Sequence, residues 1–128
     1  MKAISIHPEY CEEIVSGEKP EEFRSWNTQY RGDLLIVSTA TKTYQGHAVC
    51  VAELYDVAYD YEREYNSYSC FRLMFRNIRP VVPFYVKGRP GFYEADTTHM
   101  RFLSEISPEN RDINIKAAMM NLYKGGAK

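Results

Sequence analysis

Hydrophobic residues along the chain recur with two different spacings, and these spacings predict short strands and a first helix. Residues 2–6 alternate apolar and polar positions, as expected of a half-buried strand. A proline at position 8 then opens an apolar stripe with helical spacing over residues 8–16, and Gly17 is a typical helix stop. The continuous apolar run at residues 34–37 indicates a strand covered on both faces.

Four further segments carry the pattern of strands. Residues 21–26 and 71–76 alternate between apolar and polar side chains, and Pro80 and Pro83 are expected to mark the end of the second of these strands. The stretch 47–59 has the length of a bent or bulged strand that crosses a small barrel, and residues 92–95 fit a closing strand. The sequence therefore predicts five or six strands.

The end of the chain carries a second helical stripe. The helix is expected to begin at Pro108 and to end before Gly125, and its apolar stripe comprises Ile115, Ala118, Met119 and Leu122. Neither an internal repeat nor an interdomain linker is visible, and 128 residues suffice for one core. We therefore predict a single domain over residues 1–128, of the α+β class.

Composition limits the kinds of partner. The chain has 16 Lys and Arg against 17 Asp and Glu, so no global positive field favours bulk duplex DNA, and any contact with nucleic acid has to be local. The three cysteines form no C-x-x-C pair, which argues against a zinc knuckle or a disulfide framework. No metal, no cofactor and no membrane segment are predicted, and a reducing cytoplasm is the expected compartment.

The segment from Gly17 to Trp26 places chemically informative residues together. Lys19 lies at the turn between the first helix and the next strand, and Glu22, Arg24 and Trp26 share one face of that strand. On spacing alone, a solvated ion pair worth less than about 1 kcal/mol explains the acid and the arginine better than a ligand site does. For Trp26, stacking on a base and packing in the core are both open.

A second signal is charge segregation. No acid lies between Glu64 and Glu94, whereas that stretch contains five cations, which are Arg72, Arg76, Arg79, Lys87 and Arg89. Eight aromatic rings are interleaved with them, which are Tyr65, Tyr68, Phe71, Phe75, Phe84, Tyr85, Phe92 and Tyr93. This mixture suits phosphate contacts and base stacking, and a solvated charged face is the open alternative. Most of the rings are expected in the core, with two exposed.

The spacing G-x-K-x-x-E-x-R at residues 17–24, followed by Arg31-Gly32 and an apolar strand, resembles the ASCH family, whose domains have a PUA-like fold. The resemblance implies a small PUA-like β-barrel of five or six mixed strands with two or three helices. It covers about residues 1–96 and leaves a C-terminal helical extension at about 97–124. It also implies a ligand cleft between helix and barrel that is lined by Lys19, Glu22 and Arg24.

The favoured hypothesis is a domain that binds RNA or a modified nucleoside or nucleotide. The ligand-binding residues predicted for it are Lys19, Glu22, Arg24, Trp26, Arg31, Arg76 and Arg79.

Two alternatives stay open, and the sequence leaves the oligomeric state undecided. One is an enzyme, either a ribonuclease or an amidohydrolase acting on N-acylated cytidine, with Lys19 and Glu22 as catalytic residues and Glu62 or Glu64 as another candidate base. Related amidohydrolases carry threonine where this chain has Glu22, and a carboxylate stabilises the ammonium form that a nucleophilic lysine has to lose. The other is a protein-interaction module that uses exposed aromatic rings.

Overall fold

The computed structural model describes residues 1–125, so the last three positions of the predicted domain 1–128 lie outside the described residues. These 125 residues form six strands and two α-helices, together with short 3-10 turns at Arg63–Tyr65 and Leu103–Glu105. In chain order they are β1 (Lys2–Ile6), α1 (Pro8–Ser16), β2 (Glu21–Arg24), β3 (Gly32–Ser38), β4 (His47–Tyr59), β5 (Phe71–Pro80), β6 (Phe92–Glu94) and α2 (Pro108–Leu122).

The six strands form one mixed sheet in the order β2-β5-β4-β3-β1-β6. Only β1 and β3 run parallel, and every other pair of neighbours is antiparallel. Register shifts in the pairing of β4 with β3 and with β5 bend the long central strands, because an extra residue increases the local twist. The sheet therefore curls into a half-barrel, and the predicted α+β class with mixed strands is confirmed.

The core lies on both faces of the curled sheet. Leu34 and Ile36 of β3 pack on the face that α1 covers, whereas Leu35 and Val37 belong to the cluster on the opposite face. All four side chains are fully buried, as the continuous apolar run predicted. Helix α1 covers the first face with Ile14, which places the turn that follows the helix beside β2.

The predicted end of β2 differs from the structure, because the strand stops at Arg24, two residues earlier than expected. β5 ends at Pro80, one of the two prolines expected to mark its end. Within β5, Asn77 adopts φ +52° and the pairing with β4 resumes beyond it, so the alternation of apolar and polar side chains is interrupted there while the strand continues.

The C-terminal helix lies at Pro108–Leu122, close to its predicted position. Arg111 anchors its first half by donating to the backbone carbonyls of Leu103 and Ile106, while Ile113 and Met120 stay exposed. No helix in the described part of the chain has the length and apolarity that a membrane crossing requires.

Candidate functional site

The turn after α1 positions Lys19. Gly17 ends the helix with φ +76°, a conformation that glycine adopts without a steric penalty, and its N–H donates to the carbonyl of Ile14. The N–H of Lys19 then donates to the carbonyl of Glu13 at 3.2 Å, and the Lys19 carbonyl accepts from Glu21 at 2.8 Å. The backbone of this lysine is thus held at both ends, while its side chain is exposed.

Glu22 and Arg24 form a partly buried pair on β2. The Arg24 Nη2 atom donates to Glu22 Oε2 at 3.0 Å, and Glu22 Oε1 accepts from the Phe23 N–H at 3.0 Å. Only 13% of the glutamate side chain and 22% of the arginine side chain are exposed. The pair is therefore more buried than the solvated pair that spacing alone suggested.

Arg24 also connects two strands that are not neighbours in the sheet. Its Nη2 atom donates to the carbonyl of Ser5 on β1 at 2.6 Å, although three strands separate β2 from β1 in the sheet order. Only the curl of the sheet brings these strands together. Arg24 thus orients Glu22 and fastens the end strand β2 to β1.

A pocket of about 290 Å³ opens beside this pair, and we call it the motif pocket. Its walls come from α1, the following turn, β2 and the connection between β4 and β5. The lining residues are Tyr10, Glu13, Lys19, Glu21, Glu22, Phe23, Arg63 and Ser69. Lys19 and Glu22 therefore share one concavity, whereas Arg24 does not line it and is connected to it only through its hydrogen bond to Glu22.

Arg63 is the cation in this lining that sequence reasoning missed. Its guanidinium carbon lies 3.8 Å from the centre of the Phe23 ring, and its Nε donates to the Ser69 carbonyl at 2.9 Å. This residue lies in a tyrosine-rich connection without a clear period, and acids flank it, so it fell outside the basic stretch after Glu64. The signal that could have identified it is that Arg63 is the only lysine or arginine among residues 60–69.

Two predicted ligand residues near the motif lie elsewhere. Trp26 packs edge-on against Phe92, with ring centres 5.0 Å apart, and is half-buried against the core. Arg31 donates to the carbonyls of Thr28 and Tyr30 through its Nη1 atom, just before β3 begins. Neither residue lines the motif pocket.

The two arginines predicted from the basic stretch are paired with acids on other strands of the sheet. Arg76 donates to Glu53 on β4 through two nitrogens, at 2.9 and 3.1 Å. Arg79 donates to both carboxylate oxygens of Asp33 on β3. Both arginines lie outside the motif pocket, so a role for them in an extended RNA footprint stays a prediction.

The candidate bases Glu62 and Glu64 are exposed, and neither lines the motif pocket.

Burial raises the pKa of the Cys11 thiol to about 12, and the negative charge of Glu22 adds to this effect. The folded chain therefore keeps this thiol protonated near neutral pH. Within residues 1–125, no group of three or more His, Cys, Asp or Glu side chains is arranged to hold a metal ion.

Three of the eight aromatic rings in the basic stretch are exposed, where two were expected. Tyr65 and Tyr68 are 91% and 95% exposed, and Tyr85 is 56% exposed. Tyr65 and Tyr68 lie in the chain between Arg63 and Ser69, and Arg63 and Ser69 both line the motif pocket. Two freely accessible rings thus lie on the connection that forms one wall of the pocket.

Comparisons with known proteins agree with this fold. The sequence model of the ASCH domain matches residues 4–108. The crystal structure of ASCH from Zymomonas mobilis superimposes with a TM-score of 0.58 at 15% identity, covering 96% of this chain and 95% of that chain. A mutant of the Zymomonas mobilis protein gives 0.57 at 14% identity, covering 96% of this chain and 98% of that chain. No curated protein matches this chain. The chain belongs to the ASCH domain family.

Proposed function

We propose that this ASCH domain binds RNA, or a nucleoside or nucleotide, by taking one base into the motif pocket. The observation that carries the proposal is that Lys19, Glu22 and Arg63 line one pocket. Its volume of about 290 Å³ lies at the lower end of ligand pockets, which enclose roughly 300–1,000 Å³. A single base is therefore a better fit than a whole nucleotide.

The polar groups of the motif pocket match the edge of a base. The Glu22 carboxylate is oriented by Arg24 and by the Phe23 N–H, and each of its oxygens can accept a further hydrogen bond. An exocyclic amine of cytosine, adenine or guanine is the donor that fits it. The Lys19 ammonium complements a base carbonyl, and a base lying on the Arg63 guanidinium would extend the stack on Phe23.

The acids of the motif pocket also determine where the phosphates lie. Glu13, Glu21 and Glu22 line the pocket. Their negative charges offset those of Lys19 and Arg63, so the lining offers no surplus of positive charge to a phosphate. The sugar–phosphate backbone therefore runs outside, where the exposed rings of Tyr65 and Tyr68 are available to neighbouring bases. Stacking on such rings contributes about 1–3 kcal/mol per base.

Binding is favoured over hydrolysis by the surroundings of Lys19. A lysine nucleophile reacts as the neutral amine, which requires a desolvated or cation-rich environment. The Lys19 side chain is exposed rather than desolvated, and three carboxylates line the same motif pocket. These surroundings suit a side chain that donates hydrogen bonds better than one that attacks a carbon atom.

The test is a titration of the protein with cytidine and with a short single-stranded RNA at low and high salt. Lys19→Ala and Glu22→Gln each remove a proposed base contact, whereas Lys116→Ala removes an exposed lysine of α2 as a matched control. We expect each pocket variant to weaken cytidine binding by about tenfold, or ~1.4 kcal/mol, and the control to leave it unchanged. Only RNA binding should fall with salt, because only RNA releases counterions.

The proposal would be rejected if the protein bound neither cytidine nor RNA. It would also be rejected if both pocket variants kept the affinity of the unchanged protein. A parallel incubation with N-acylated cytidine and with RNA tests the catalytic alternative. The binding proposal predicts no product. Turnover that disappears in Lys19→Ala would instead show that the same pocket supports hydrolysis.

A further inference from the structure

A second concavity of about 500 Å³ lies apart from the motif pocket, and we call it the basic pocket. It forms where the carboxyl ends of the parallel strands β1 and β3 meet the loop of residues 85–90. Ser5 and Ser38 contribute the strand ends, and Lys124 closes the side next to the end of α2. The two pockets have no lining residue in common.

The charge of the basic pocket has one sign. Lys87, Arg89 and Lys124 line it, and no acidic residue does. In the part of the chain that the structure describes, no carboxylate lies within ion-pair distance of Lys87 or Arg89, whereas Arg24, Arg76 and Arg79 each have an acidic partner. The Nζ atom of Lys124 donates to the Thr41 carbonyl at 2.9 Å, which holds the third cation at the rim.

The floor of the basic pocket consists of closely packed backbone and small hydroxyl groups. A side chain at Gly88 would place its Cβ atom 2.7 Å from Ser5 Oγ, and one at Gly46 would place it 2.9 Å from the Val86 carbonyl. Both positions therefore accept only glycine without a shift of their neighbours. Ser5 Oγ is itself fixed by a 2.7 Å hydrogen bond with the Tyr93 hydroxyl.

Accessible cations above a floor of hydroxyl groups suit a phosphate. Charge-assisted hydrogen bonds from Arg and Lys to phosphate oxygens are roughly twice as strong as neutral ones, and a guanidinium can donate to two oxygens at once. The exposed ring of Tyr85 borders the same concavity and offers a face for an attached base.

We propose that the basic pocket binds the phosphate group of a nucleotide, held by Lys87 and Arg89, with its base against Tyr85. This goes beyond the base-binding proposal and does not depend on it, since the two pockets have separate linings. The two pockets would then bind different parts of a nucleotide, because the lining of the motif pocket offers no surplus of positive charge and the basic pocket contains no carboxylate to accept a hydrogen bond from a base amine.

The test uses isotope-labelled protein and records backbone amide shifts during titration with cytidine 5′-monophosphate, cytidine, inorganic phosphate and a short single-stranded RNA. A Lys87→Gln/Arg89→Gln variant removes two positive charges while keeping similar side-chain volume. An Arg101→Gln/Lys116→Gln variant removes the same charge from exposed positions outside the pocket and serves as the control. All four substituted side chains are exposed, so both variants should fold, and their amide spectra verify this.

We expect the monophosphate to shift the amides of Gly46 and Gly88, and its affinity to fall by about tenfold or more, ~1.4 kcal/mol, in the pocket variant alone. A response to RNA without one to the monophosphate would assign the site to backbone diesters, and the reverse would assign it to a terminal phosphate. Either response supports the proposal.

Three results would overturn the proposal. The first is the absence of shifts at these glycines with every phosphate compound, and the second is equal loss of affinity in the control variant. The third is equal affinity for inorganic phosphate and the nucleotide, which would reject the nucleotide assignment. Cytidine shifts confined to residues 19–24 and 63–69 report on the motif pocket alone, so the two proposals can fail separately.

Discussion

Replacing Arg24 by methionine tests whether this arginine fastens the curled sheet. The variant keeps an apolar side chain of similar length but loses the donor to the Ser5 carbonyl at 2.6 Å and to Glu22 at 3.0 Å. It also leaves a carboxylate that is only 13% exposed without its cationic partner. Both losses act on the native state, so the free energy of unfolding should fall.

The expected magnitude follows from these two contacts. Hydrogen bonds that involve a charged group contribute about 1.5–3 kcal/mol each. Both bonds use the same nitrogen of Arg24, and its partly exposed side chain is screened by water, so the sum lies at the low end. We expect Arg24→Met to lower the free energy of unfolding by about 2–3 kcal/mol.

Urea unfolding followed by tryptophan fluorescence measures this change, because the chain has a single tryptophan, Trp26, two residues from the substitution. Arg101→Met is the control, since Arg101 is exposed and should change stability by less than about 0.5 kcal/mol. Combining Arg24→Met with Glu22→Gln should cost less than the sum of the two single changes. A loss below about 0.5 kcal/mol for Arg24→Met, or strict additivity, would refute the reasoning.

Three further predictions concern backbone conformation, pH and RNA affinity. Gly17→Ala should lower stability by about 1 kcal/mol, because φ is +76° while no atom lies within 4 Å of the added Cβ; an unchanged urea midpoint would contradict this. Burial raises the pKa of the Cys11 and Cys50 thiols to about 12, whereas an unfolded thiol ionises near pH 9, so unfolding releases protons between these values. The free energy of unfolding should therefore fall by about 1.4 kcal/mol per pH unit for each thiol above about pH 9, with a smaller slope in Cys50→Ala; a flat profile in urea titrations would be inconsistent with buried thiols. Tyr65→Ala/Tyr68→Ala should weaken RNA binding by about tenfold, as judged by fluorescence anisotropy, and leave cytidine binding unchanged; weakening of both would argue against separate base contacts.

Much of the fold was predictable because burial imposes a period on the sequence. The run at residues 34–37 became a strand buried on both faces, and Gly17 ended α1 as expected. For Lys19 and Glu22, the resemblance to ASCH domains, rather than their spacing alone, indicated that the two residues share a concavity. Local patterns suffice where neighbouring residues on one element determine the outcome.

Other features depended on contacts between distant parts of the chain. Asp33 lies 46 residues before Arg79 and neutralises it, so a count of charge along residues 65–93 overstated the free positive charge. Arg63 entered the motif pocket because the β4–β5 connection folds back onto Phe23, which no period in that connection reveals. Curling of the sheet, rather than sequence spacing, brought Arg24 to Ser5.

Base binding in the motif pocket is tested most directly by an amide-shift titration of isotope-labelled protein with cytidine. Cytidine carries no phosphate, so its binding reports on the motif pocket rather than on the basic pocket. We predict saturable shifts at residues 19–24 and 63–69, with weaker binding in Glu22→Gln. No shifts at saturating cytidine, or shifts confined to residues outside those two segments, would contradict the claim that this pocket receives a base.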